Sequence, residues 1–128
     1  MKKRLSESRM HQLWRRAVLV KAGHRCAFCG QPGDCELECH HIVRRRKLLT
    51  RWDWMNGIAL CRDCHRIGHT KLGEMKIMKV HPHYDYLVER ENLISKDVFV
   101  DLQINDNGWY HRQAEEMRDI IRLEEWND

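Results

Sequence analysis

The chain has 128 residues, of which 42% are hydrophobic and 33% are charged, and this length suits one domain with an appendage rather than two full domains. No stretch approaches the length of a transmembrane helix, which argues against a membrane-spanning protein. Residues 1–73 carry 16 Lys and Arg against 6 Asp and Glu, whereas residues 74–128 carry 7 against 13. A basic front half beside an acidic back half predicts a polyanionic partner for the front half.

An amphipathic helix is predicted for residues 6–22. Apolar side chains recur there at helical spacing, and Ser6 or Ser8 offers an N-cap. Gly23 is a typical helix end. The apolar positions are Met10, Leu13, Trp14, Ala17 and Val18. We expect this helix mainly to pack against the core.

Six cysteines in a short chain indicate either disulfides or a metal site. The basic residues 2–4 lead directly into the helical pattern without an apolar signal segment, so a reducing cytoplasm and metal binding are expected. Two C-x2-C pairs have the spacing at which thiolates converge on one tetrahedral Zn²⁺. The predicted structural zinc ligands are Cys26, Cys29, Cys61 and Cys64, with unligated buried thiols as the alternative. Cys39 is expected to fill a small buried position instead.

The segment from the first cysteine pair onward predicts a strand, a loop, a second strand and a helix. A turn-rich start leads into a strand at residues 37–43, and a basic loop then runs to Trp54. Asn56 and Gly57 are typical of a turn, residues 58–60 of a short buried strand, and the chain from Cys64 onward of a helix.

Four histidines lie close to these cysteines. His65 and His69 are four residues apart, so both imidazoles share one helix face and can chelate a metal. His40 and His41 are neighbours on a strand, so their side chains point in opposite directions. We therefore expect one of this pair to bind the metal and the other to activate water. The remaining histidines, for which a surface or core role is favoured, are His11, His24, His81, His83 and His111.

The acidic back half has its own pattern. Helix is predicted for residues 84–93, a strand for residues 98–104, a turn for Asn107 and Gly108, and a closing helix around residues 114–123. We divide the chain into a helix that packs on the core, a metal-binding domain and an acidic extension, at residues 1–23, 24–73 and 74–128.

Residues 24–72 resemble the HNH endonuclease family, whose ββα-metal motif has a histidine at a strand end, an asparagine in the loop and a histidine on the helix. Here these are His41, Asn56 and His65. The intervals and the double histidine are similar to those of colicin-type DNases, and the cysteine pairs resemble phage and restriction members, including recombination nucleases of the NinG type. The resemblance implies an α+β fold, with a small ββα-metal nuclease domain, a zinc site, a preceding helix and an α/β extension.

Roles follow from this resemblance for individual residues. His41 is implied to be the general base, and His40, His65 and His69 to hold a catalytic divalent metal. Asn56 is implied to hydrogen-bond across the loop and orient the base. Three imidazole ligands favour Zn²⁺, Ni²⁺, Co²⁺ or Mn²⁺ over Mg²⁺.

A basic loop follows the two neighbouring histidines and suits contact with the phosphates of DNA. Its cationic side chains are Arg44, Arg45, Arg46, Lys47 and Arg51. Trp52 and Trp54 are expected to anchor this loop against the core, with base stacking as the alternative.

The leading hypothesis is a metal-dependent DNA endonuclease of phage or mobile-element DNA processing and recombination. It cuts one strand as a monomer or both strands as a homodimer. One alternative is a zinc-stapled DNA-binding module without activity, and another is a structural zinc protein whose tail binds a partner.

Overall fold

The computed structural model describes residues 5–33, 36–45, 48–94 and 107–127. These residues form six helices and two strands, which confirms the predicted mixed α+β class. In chain order they are α1 (Glu7–Lys21), β1 (Leu37–His41), α2 (Leu48–Arg51), a 3-10 turn (Trp54–Asn56), β2 (Gly57–Cys61), α3 (Arg62–Gly68), α4 (Lys71–Val80), α5 (Tyr84–Ile94) and α6 (Asn107–Asn127). None of the described helices is both long and apolar enough to cross a bilayer.

The two strands form an antiparallel pair in which His41 lies opposite Gly57 and Leu37 opposite Cys61. α3 follows β2 without a loop and packs against both strands, so the predicted strand, loop, strand and helix are present. The expected turn at Asn56 and Gly57 is different in detail. Asn56 ends the 3-10 turn, and Gly57 is already the first residue of β2.

Gly57 is small because α1 crosses β2 at this point. A Cβ atom there would overlap the side chain of Val18 and would lie 2.9 Å from Cζ2 of Trp14. The sequence pair Asn56–Gly57 therefore serves helix packing rather than a hairpin turn.

α1 forms close to where its sequence predicts. The Ser6 hydroxyl accepts a hydrogen bond from the Arg9 backbone N–H at 3.1 Å, as an N-cap should. Gly23 and His24 both have positive φ, at 64° and 56°, and this left-handed backbone ends the helix. The buried face consists of Met10, Leu13, Trp14, Ala17 and Val18.

α6 packs along α1 and supplies half of the main apolar core. The closing apolar stripe is therefore covered by the protein's own first helix. Its buried side chains are Trp109, Tyr110, Ala114, Met117, Ile120 and Ile121. The turn predicted at Asn107 and Gly108 is wrong, because both residues begin α6; an asparagine also suits the start of a helix. The strand predicted at residues 98–104 lies outside the described residues.

The single helix expected after Cys64 is two helices. α3 ends at Gly68, and the Thr70 hydroxyl caps α4 by accepting from the Gly73 backbone N–H at 3.1 Å. Gly73 lies so close to α3 that a Cβ atom would overlap the Ile67 carbonyl. The predicted boundary between residues 73 and 74 falls inside α4.

Truncation after residue 80 should unfold or aggregate the protein. It removes the six buried side chains of α6 from a fold whose net stability is about 5–15 kcal/mol. Each of the large ones contributes about 1.5–3 kcal/mol, and Ala114 contributes less. Size-exclusion chromatography and thermal melting by circular dichroism measure the effect. A control chain that ends at Arg122 keeps those side chains and should stay folded. A monodisperse 80-residue chain that melts with the full protein would refute this packing role.

Candidate metal centre

The four cysteines of the two C-x2-C pairs converge on one point. Their sulfur atoms all lie within 4.8 Å of one another, and Sγ of Cys29 lies 3.9 Å from Sγ of Cys61. A tetrahedral Zn²⁺ with its usual sulfur distances separates sulfur atoms by about 3.8 Å. All four are free thiols, so the cluster fits a structural zinc ion.

One backbone hydrogen bond holds the first cysteine pair against the sheet, and another closes the turn of the pair. The Ala27 N–H donates to the Ala59 carbonyl at 2.9 Å, and the Gly30 N–H donates to the Cys26 carbonyl at 2.9 Å. Burial opposes ionisation of Cys26, but backbone N–H groups, first that of Cys29, lower its pKa to about 6. Donors aimed at a sulfur atom favour the thiolate, which is the form that binds zinc.

Cys39 is not part of this cluster. Its thiol donates to the Arg15 carbonyl at 3.6 Å, and burial raises its pKa to about 11. The expected packing role therefore agrees with its position beside α1. Cys35 lies outside the described residues.

Three of the four histidines form a second cluster. Nδ1 of His40 lies 3.2 Å from Nε2 of His65, and Nε2 of His69 lies 3.1 Å from the same atom. Three imidazole nitrogens around one tetrahedral ion at ordinary metal distances lie about 3.3 Å apart. Burial lowers the pKa of His40 to about 4, so its imidazole is neutral at pH 7 and keeps a lone pair for a metal.

Glu38 orients one of these imidazoles. Its Oε2 lies 2.6 Å from Nδ1 of His65, and this hydrogen bond lowers the pKa of the Glu38 carboxyl group. Because an ionised carboxylate can only accept, Nδ1 carries the proton, and in the neutral imidazole the lone pair is then on Nε2. The sequence interpretation missed Glu38. Its position two residues before His40 places it on the same strand face and could have revealed it.

His41 points away from the three-histidine cluster, as the alternation of a strand requires. Its Nε2 lies 3.0 Å from the Arg51 carbonyl oxygen. Since a carbonyl can only accept, Nε2 carries the proton and Nδ1 is the basic nitrogen. The ring stacks on Trp14 with centroids 3.8 Å apart and planes at 6°. Burial lowers the pKa of His41 to about 4.

One cleft of about 520 Å³ joins these groups. His40, His65 and His69 line it together with His41. Other residues that line the cleft are Cys39, Ile42, Arg44, Arg45, Gly68 and Glu74.

Asn56 is fully buried, and its side chain hydrogen-bonds to the backbone of the basic loop. Its Nδ2 donates to the Val43 and Thr50 carbonyls, both at 3.0 Å, and its Oδ1 accepts from the Val43 N–H at 2.6 Å. One side chain thus ties together the two ends of the segment from Val43 to Thr50, directly before Arg51. Asn56 does not line the cleft, and its contacts are with the backbone.

Replacing Asn56 with alanine should destabilise the protein by several kcal/mol. The N–H and carbonyl of Val43 lose the Asn56 side chain as a partner, whereas the Thr50 carbonyl still accepts from the Asp53 N–H at 3.1 Å. Each buried polar group left unpaired costs about 1–3 kcal/mol. Chemical denaturation measures the loss. Gln12→Ala, which removes an exposed amide side chain on α1, should leave stability unchanged, and an equal midpoint for the two variants would contradict this role of Asn56.

The arginines of the basic loop differ in solvent exposure. Arg44 and Arg45 are exposed and line the cleft, whereas Arg46 and Lys47 lie outside the described residues. The Arg51 side chain is only 21% exposed, because Nε donates to the Arg45 carbonyl at 2.6 Å and Nη1 pairs with Glu7 at 3.5 Å.

The two tryptophans after this loop anchor it. Trp52 is buried in the main core, and the Trp54 indole N–H donates to Glu116 of α6 at 3.0 Å. The anchoring interpretation agrees with both placements.

Comparison with known proteins agrees with this geometry. Residues 26–71 match the HNH endonuclease family model. The match spans both cysteine pairs, Asn56, the three clustered histidines and His41, whereas α1, α5 and α6 lie outside it. No curated protein and no solved structure matched the chain.

Proposed function

We propose that this protein is a metal-dependent DNA endonuclease that hydrolyses phosphodiester bonds. The observation that carries the proposal is the single cleft in which three convergent imidazoles lie beside His41. The HNH match supports a nuclease function in general.

His41 is proposed as the general base. Its Nε2–H donates to the Arg51 carbonyl, so Nδ1 has the free lone pair with which to take a proton from the attacking water. Because burial holds its pKa at about 4, the imidazole is neutral at pH 7. The water oxygen then bonds to phosphorus, and the bond from phosphorus to the 3′ oxygen breaks.

His40, His65 and His69 would hold the catalytic metal. Their nitrogen spacing of 3.1–3.2 Å fits tetrahedral coordination that leaves one position open. A divalent ion there supplies positive charge to the scissile phosphate and to the leaving oxygen. Imidazole ligands favour Zn²⁺, Ni²⁺, Co²⁺ or Mn²⁺ over Mg²⁺. The four-cysteine cluster would hold a separate structural Zn²⁺.

Plasmid cleavage tests the proposal directly. Protein with its structural zinc intact is incubated with supercoiled DNA and each divalent metal in turn, with a chelator control. Metal-dependent nicking or linearisation is the expected result. DNA binding without cleavage under every metal would overturn it and favour the inactive DNA-binding module.

Arg44 and Arg45 are proposed to bind phosphates at the rim of the cleft, together with Arg46 and Lys47 of the same loop. Arg51 is proposed to support DNA binding indirectly by holding the loop in place, because its guanidinium already contacts the Arg45 carbonyl and Glu7. No described side chain suggests readout of a base sequence.

Replacing both Arg44 and Arg45 with alanine should weaken DNA binding at every sequence. The slope of log affinity against log salt should become shallower by about 0.9 for each phosphate that the loop no longer neutralises. Fluorescence anisotropy over a salt series gives both values. A matched pair on α6, Arg118→Ala with Arg122→Ala, removes charges that pair with Glu115 and Asp119 and should change neither. Equal slopes for the two double variants would remove the loop from the DNA surface.

We also infer the biological process and the cellular compartment in which this activity is used. The resemblance of the motif to phage-type members supports phage or mobile-element DNA processing and recombination, and the NinG type remains the proposed subtype. The free thiols of the described cysteines support a reducing compartment such as the cytoplasm. One cleft per chain suits nicking by a monomer or double-strand cleavage by a homodimer.

A further inference from the structure

We propose that Trp14 is a positioning residue for His41, so that helix α1 completes the catalytic apparatus from outside the HNH segment. This inference rests on the proposed role of His41 as the base. The indole and imidazole rings are nearly parallel, at 6°, with centroids 3.8 Å apart. Trp14 precedes the matched residues 26–71, so the family motif does not contain it.

The indole is held firmly enough to orient another ring. Trp14 is fully buried, and its Nε1–H donates to the Asp53 carbonyl at 2.9 Å. Gly57 gives it room, because a Cβ atom on that residue would lie only 2.9 Å from Cζ2 of Trp14. Since Gly57 lies opposite His41 across the sheet, the missing side chain opens space at the place where the indole meets the imidazole.

Two contacts together fix the direction of the His41 lone pair. The hydrogen bond from Nε2 to the Arg51 carbonyl holds one atom but permits the ring to rotate about that bond. The flat indole face removes this rotation by setting the plane of the ring. A general base must lie within about 2.6–3.2 Å of the proton it takes, and a displacement of about 1 Å can cost a factor of about 100 in rate.

Three variants separate positioning from stability. Trp14→Leu removes the ring, Trp14→Phe keeps a ring but loses the N–H donor, and Leu13→Ala disturbs the same buried core from the next residue of α1. We expect Trp14→Leu to lower kcat about 10- to 100-fold with the KM for DNA and the metal affinity unchanged. Trp14→Phe should recover most of that loss, and Leu13→Ala should keep the kcat of the parent protein at temperatures where it is folded.

Nuclear magnetic resonance tests the stacking of the Trp14 and His41 rings in the unaltered protein, and it needs no measurement of DNA cleavage. An indole face shifts the ring protons of a stacked imidazole upfield, and the His41 signals are identified by their absence from His41→Ala. The upfield shift should be present in the zinc-loaded parent protein, persist in Leu13→Ala and vanish in Trp14→Leu.

The outcomes distinguish a failure of the positioning role of Trp14 from a failure of the proposed endonuclease function. An unshifted His41 signal in the parent protein would overturn the positioning role, even if Trp14→Leu fails to fold. Equal kcat values for folded Trp14→Leu and Leu13→Ala would overturn it as well, while the endonuclease proposal would stand. A shifted signal in a protein that cuts no DNA with any metal would refute the endonuclease proposal and, with it, the catalytic part of this inference.

Discussion

Replacing His41 with alanine should lower the rate of DNA cleavage by a factor of about 10²–10⁴, because a general base contributes mainly to the transition state. Metal affinity should stay the same, since the imidazole of His41 faces away from the three-histidine cluster and hydrogen-bonds to the Arg51 carbonyl. Single-turnover cleavage at saturating DNA and calorimetric metal titration measure the two quantities.

His65→Ala is the matched comparison for this experiment. His65 is central to the cluster, with both His40 and His69 within 3.2 Å of its Nε2, so its loss should weaken metal binding as well as cleavage. Glu38 would lose its hydrogen-bond partner too. An equal loss of metal affinity in His41→Ala and His65→Ala would show that the division between base and ligand is wrong.

Replacing Cys61 and Cys64 together with serine should unfold the nuclease domain. These residues supply half of the four-cysteine cluster, and structural zinc contributes about 10–16 kcal/mol of apparent binding free energy in small domains, as much as the whole stability of a typical fold. Cys64 also belongs to the same short helix as His65. Loss of zinc should therefore also displace His65, a proposed ligand of the catalytic metal.

Thermal melting and measured zinc content test this second expectation. Cys39→Ser is the control, because Cys39 is a described cysteine outside the cluster and hydrogen-bonds to the Arg15 carbonyl. It should keep its zinc and a cooperative transition. If the double variant melts with the parent protein and retains the same zinc, the cluster is not a structural metal site.

The parts of the site that sequence could predict are those set by short-range geometry. Two residues between cysteines, one helical turn between His65 and His69, and strand alternation at His40 and His41 each place side chains from local rules alone. The buried stripe of α1 follows in the same way from its helical period. Each of these features depends on neighbours within a few positions.

The rest depends on contacts between distant segments. Trp14 reaches His41 only because α1 crosses the sheet at Gly57, and no local pattern encodes that crossing. The sequence predicts that Arg51 contacts DNA, but Oε2 of Glu7 in α1 lies 3.5 Å from its Nη1. The division of one expected helix into α3 and α4 likewise depends on the close approach of Gly73 to Ile67.

The pairing of α1 with α6 also has a consequence for synthesis on the ribosome. The two helices begin about 100 residues apart, at Glu7 and Asn107, and contacts between such distant segments form late. A nascent chain that has not yet produced α6 already contains every cysteine and histidine of the two clusters, but it lacks half of the core that holds α1. Because domains fold as the chain emerges, the four-cysteine cluster can form early. The indole of Trp14 reaches its final position beside His41 only after α6 has packed against α1.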